Sequence, residues 1–157
     1  MSDWRQRVRE GLTRNVAVTS PLAEDPDLRG RTYGIPYERV WRAARRLAGG
    51  GLRGWKILDA DDYDGLIRAE ARSTLLRRVD DIVIRITLDA NAQTRVDARS
   101  SSRGARGDLG SNARRLRRFF AALDEELGVS PGTEPPRLAV PPALGSPPPA
   151  ASSDAGR

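Results

Sequence analysis

Charged and hydroxyl side chains in the second half of this sequence recur in short groups: Glu70-Ala71-Arg72-Ser73, Val79-Asp80-Asp81, Arg99-Ser100-Ser101-Ser102-Arg103 and Asp108-Leu109-Gly110-Ser111-Asn112. Glu70, Arg72, Asp80, Asp81, Arg99, Ser102, Arg103, Asp108 and Asn112 are the types that build planar guanidinium–carboxylate pairs or surround an anion. Two readings follow. As structure, they form a hydrogen-bonded ion network that fixes the loop over residues 100–110 and caps the helix after it, with Asp108 or Ser111 as the cap. As function, they converge on one sheet edge where Arg103, the loop and the N–H groups of that helix start meet a phosphate or carboxylate. The structural reading is preferred, because the loop fits no defined phosphate motif.

The helix that follows carries Arg114, Arg115 and Arg118 in its first two turns, a candidate anion-binding face whose plainer reading is a solvated surface. Asp80 and Asp81 do not make a metal site, since neighbours in a strand point to opposite faces. The 157 residues include no Cys and no His, which excludes disulfides, thiol chemistry, the commonest metal ligands and an imidazole base. Neither a metal nor another cofactor is expected. With carboxylates, Arg, Ser and Tyr alone left for proton transfer, an enzyme is the less favoured class.

A formal net charge of +6 points toward anionic partners. Yet Lys56 is the only lysine among 27 basic residues, a bias that codon composition explains as well as phosphate binding does, so a nucleic-acid partner is not expected. No apolar run is long enough to span a bilayer, and the first residues lack the layout of a secretion signal. The expected location is the cytoplasm or the membrane periphery.

The polar groups need elements to hold them. Residues 3–13 place Trp4, Val8 and Leu12 at four-residue spacing among basic residues, a short amphipathic helix that docks on its own domain or contacts a membrane surface. Residues 14–35 read as an irregular arm broken by Pro21, Pro26, Gly30 and Gly34. Pro36 suits a helix start, Tyr37, Val40, Trp41, Ala44, Leu47 and Ala48 form its buried stripe, and Gly49-Gly50-Gly51 ends it. Four strands are predicted next. Residues 55–60 and 66–72 form a hairpin about an Asp-Gly turn, residues 81–89 alternate with Ile82, Ile84, Ile86 and Leu88 on one face, and residues 94–99 pair beside them. The last helix, over 111–127, buries Leu116, Phe119 or Phe120, Leu123 and Leu127, and turns its arginines and Asp124, Glu125 and Glu126 outward. From residue 129 the Pro-rich composition predicts a disordered tail. The predicted fold is α+β, one domain over residues 14–128: a four-stranded, mainly antiparallel sheet with a helix on its N-terminal side and a C-terminal helix packed across it.

The motif order over residues 66–116 resembles DUF1499, a bacterial and plastid family of unknown function. Its pattern has a small-residue strand ending Glu-x-Arg-Ser and a hydrophobic strand opened by Val-Asp-Asp. After a hairpin come Arg-Ser-x-Ser-Arg, Asp-x-Gly-x-Asn and an Arg-rich helix. The four groups quoted above, with Arg114-Arg115, supply these in order. Asn15-Val16-Ala17-Val18-Thr19-Ser20 is similar to the family's Asn-x-Val-Ser segment, while Ala71, Leu76 and Arg78 stand where the family commonly has aromatic residues. The resemblance implies the α+β fold and no defined activity. The expected function is a non-enzymatic accessory or ligand-binding domain that meets a protein or small anionic partner at the Arg/Asp-rich sheet edge. A peripheral membrane protein using residues 3–13 is the alternative, and a nucleic-acid binder a further one.

Overall fold

Six strands form the sheet instead of four, and the two additional ones come from the stretch read as an irregular arm. The computed structural model describes residues 16–23, 25–73, 77–103 and 110–130. Its elements are β1 (Val16–Val18), β2 (Arg31–Tyr33), α1 (Tyr37–Arg46), β3 (Trp55–Asp61), β4 (Leu66–Ser73), β5 (Arg78–Leu88), β6 (Thr94–Ser102) and α2 (Ser111–Leu127). The expectations for residues 3–13, including Trp4, Val8 and Leu12, and those for Asp108 and for residues 131–157 lie outside the described residues.

The sheet order is β1-β6-β5-β4-β3, with β2 also on β6, and every pairing is antiparallel. Three-residue strands show no readable alternation. β1 and β2 exist because the outer edge of β6 offers unpaired backbone groups, which they cover end to end at Arg99–Ser101 and Thr94–Val96. Period-2 patterning then decides what the long strands bury. Ile82, Ile84 and Ile86 of β5 and Val96 and Ala98 of β6 are buried on the helix side, together with Ile67, Ala69 and Ala71 of β4.

α1 buries Val40, Trp41, Ala43 and Ala44, and Tyr37 stacks on Trp41 with ring centroids 6.1 Å apart. It runs into a wider turn, Leu47–Gly51, closed by Leu52 N–H donating to Leu47 O at 2.9 Å. α2 buries both Phe119 and Phe120 along with Leu116, Leu123 and Leu127, and Phe119 stacks on Trp55 at 5.8 Å. Each fully buried large side chain contributes about 2 kcal/mol by leaving water. Gly128, left-handed at φ 70°, stops α2: its N–H donates to Glu125 O at 3.1 Å, and Val129 N–H donates to Asp124 O at 2.9 Å. Val129, the first residue assigned to the Pro-rich tail, thus closes the helix and packs on the core.

Asp124 departs from its expected outward position. It is 3% exposed, accepts the Tyr33 hydroxyl at 2.7 Å and receives Arg31 Nε at 3.4 Å. It lies four residues after Phe120, so helical spacing puts it on the buried stripe. Glu126, beside it, pairs with Arg46 of α1.

Candidate functional site

The polar groups gather at one end of the sheet, and the pleat divides them. Trp55, Ala71, Asp80 and Ser102 are consecutive cross-strand neighbours over β3, β4, β5 and β6. Trp55, Ala71 and Asp80 are buried under the helices. One residue along, Lys56, Glu70, Asp81 and Ser101 form the adjoining row. Successive residues of a strand face opposite ways, so the expected single cluster is two clusters on the two faces of one sheet end.

Beneath the start of α2, Asp80 Oδ2 pairs with Arg115 Nη2 at 2.5 Å. Arg115 Nη1 also donates to Ser100 Oγ at 3.2 Å and Asn112 Oδ1 at 3.0 Å. Ser100 Oγ donates to Asn112 Oδ1 at 2.6 Å, and Asn112 Nδ2 donates to Ser102 Oγ at 3.0 Å. Ser100 and Asn112 have no exposed surface, which makes this a desolvated network joining β5, β6 and α2. Asp80 Oδ1 is buried there without a hydrogen-bond partner.

On the other face Arg72 donates to Glu70 Oε1 at 3.0 Å through Nη2 and at 3.2 Å through Nε. Arg103 grips Asp81 with contacts of 2.5 and 3.0 Å and lies 3.7 Å from Glu70 Oε2. The Arg103 hydrogen bond holds the Asp81 carboxyl below the usual carboxylate range, and Asp81 in turn raises the guanidinium. Arg99 joins neither cluster: it stands between Val83 and Val18 in the register and has no ion-pair partner among the described residues. The residue before α2 is Gly110, with no side-chain cap bond, and Ser111 is the first helical residue instead of the cap.

Between the start of α2 and the beginning of the β3–β4 pair lies a cleft of about 450 Å³. Its polar wall holds Arg53, Arg114, Arg115 and Arg118 with Ser73 and Ser111, its apolar wall holds Leu52, Trp55 and Ala71, and Arg72, whose guanidinium is on Glu70, borders it at the β4 end. Among the described residues no carboxylate lines it. Gly54 fixes the geometry of one side, because its φ is +83° and a Cβ there would sit 2.5 Å from Arg72 O. That close approach lets Arg72 N–H donate to Gly54 O at 2.8 Å, which ties the Arg53 loop to β4.

Sequence reading found Arg72, Arg114, Arg115 and Arg118 but assigned them to separate features, and the fold brings all four to one cleft. Arg115 is not on a solvated face, since its side chain is only 14% exposed and turned onto Asp80. Arg53, Trp55 and Ser111 were missed as site residues, as was Ser100 of the buried network. The first three depend on the start of α2 lying near the start of β3, where Phe119 stacks on Trp55, which local spacing does not encode. Ser100 was signalled by its place inside the Arg-Ser-x-Ser-Arg motif. Among the described residues no group of three or more acidic residues is arranged to hold a metal ion.

No curated protein and no solved structure matches the chain. The model of one family, described as a protein of unknown function (DUF1499), matches residues 8–123, which take in the buried network, the paired carboxylates and the cleft alike, and the chain belongs to that family.

Proposed function

We propose that this protein is a non-catalytic binding domain that captures a small anionic ligand in the arginine-lined cleft. The observation that carries this is a 450 Å³ hollow walled by Arg53, Arg114, Arg115 and Arg118, with no acidic residue among the described residues of its lining. Hollows of this size hold small molecules, and guanidiniums recognise phosphate and carboxylate oxygens through paired N–H donors. The positive end of the α2 dipole faces the same space and favours the same sign of ligand. A reacting site would need a group to move protons, and among the described residues the polar wall of the cleft supplies only arginines and serines.

Calorimetric titration with inorganic phosphate tests it. Saturable binding is expected in the full chain, weakened at least tenfold by the pair Arg53→Gln and Arg118→Gln. The pair Arg39→Gln and Arg45→Gln, which removes the same two charges from exposed positions of α1, should leave it unchanged. Equal losses in every variant would mean attraction by net charge, and absence of saturable binding would remove the proposal.

A further inference from the structure

The arginines of the cleft are not equivalent, and the difference bears on what the ligand is. Arg72 and Arg115 each come with a carboxylate of the chain, Glu70 and Asp80, so their charge is balanced before any ligand arrives. Arg53 and Arg118 have no ion-pair partner among the described residues. They enter from different elements: Arg53 from the loop before β3, Arg118 from α2 beside Phe119, whose ring stacks on Trp55. The apolar surface of Leu52, Trp55 and Ala71 belongs to the same hollow.

From this we infer that the ligand carries two separate anionic groups on a short body, a bis-phosphoryl or dicarboxylate compound. This rests on the anion-binding role proposed for the cleft. Size points the same way as charge. A water occupies about 30 Å³ of liquid, and a single tetrahedral oxyanion replaces roughly three of them, far less than the space available. A monoanion paired with Arg53 leaves the Arg118 guanidinium without an ionic partner in the same hollow, and the converse holds too. Two anionic groups satisfy both, and the intervening atoms lie against the apolar wall.

Titrations of the full chain with inorganic phosphate and with pyrophosphate, at physiological salt to screen net-charge attraction, separate the inference from the reading beneath it. Pyrophosphate is expected to bind at least tenfold more tightly than phosphate. Arg53→Gln and Arg118→Gln, singly, should each bring that ratio down to about threefold or less, whereas Arg39→Gln should preserve it. A ratio near one in the wild type, or one that survives both cleft substitutions, overturns the two-group inference while phosphate binding stands. If neither anion binds, both are overturned. Circular dichroism of each variant ensures that the comparison is between folded proteins.

Discussion

Asp80 and Asp81 are neighbours in sequence and differ in everything that matters at the residue scale. Asp81 is partly exposed and spread over Arg103, an arrangement worth little in water. Asp80 is 1% exposed, with one oxygen on Arg115 and the other unpartnered. Removing one member of such a desolvated pair strands the other charge, which costs more than the pair itself contributes. Asp80→Asn is therefore expected to lower the unfolding free energy by about 3 kcal/mol, read from urea denaturation. Adding Arg115→Met, which removes the stranded guanidinium, should restore at least half of that loss. A single-site effect under about 0.5 kcal/mol would show the pair to be solvated. The separation of the two aspartates was legible, because period-2 alternation assigns them to opposite faces. Arg115 was not, since nothing local distinguishes it from Arg114 and Arg118 until the helix is laid over β5.

At the scale of elements, α2 has its arginines near the positive end of its dipole and its acids near the negative end, an order that opposes the macrodipole. Tertiary pairing accounts for it. Arg117 meets Asp25, Asp124 takes the Tyr33 hydroxyl and Arg31, and Glu126 meets Arg46, so the helix is held through residues whose charges are wrong for an isolated helix. Arg31 also lies 5.3 Å from the Phe120 ring centroid, which brings β2 onto α2. Asp124→Ala is expected to cost about 2 kcal/mol, because it strands the buried Tyr33 hydroxyl and takes from Arg31 its buried carboxylate, leaving that guanidinium with Asp27 alone as ionic partner. Glu125→Ala, at an exposed position one residue on, should cost less than about 0.5 kcal/mol. Thermal or urea unfolding of the two variants distinguishes them; equal effects would make Asp124 a surface residue in practice. The long elements were legible from periodicity, α2 to both of its ends. β1 and β2 were not, because their strand state comes from the free edge of β6 and their three residues carry no period of their own.

For the whole molecule, composition makes stability against pH unusually easy to interpret. No His, no Cys and one Lys leave almost nothing to change charge between the carboxylates and the tyrosines, so the unfolding free energy should be flat from about pH 6 to about pH 9. On the acid side Asp81 is held low, so its contribution is present above the unfolded carboxylate value and fades as pH falls through its folded one. On the alkaline side two tyrosines join separate parts of the fold: Tyr33 bonds Asp124 of α2, and Tyr37 donates to Asp62 O in the β3–β4 turn at 3.0 Å. Burial and then the Asp124 contact push Tyr33 well above the usual phenol range, and burial with the nearby Asp62 pushes Tyr37 up to about 12. A raised folded value means the unfolded chain ionises first. The stabilisation is thus complete below about pH 10 and declines above it, ending for Tyr37 near 12, with each tyrosine adding a slope of about 1.4 kcal/mol per pH unit while only the unfolded form is ionised. Urea titrations at stepped pH should show this decline in the wild type and a shallower one in Tyr37→Phe. Tyr33→Phe should begin from a lower plateau, having lost its buried bond, and also decline less steeply. If the double Tyr→Phe variant keeps the full alkaline slope, the loss arises from general charge repulsion as the chain's remaining groups titrate, and the two tyrosines would be packing residues whose hydroxyls do not couple the sheet to its helices.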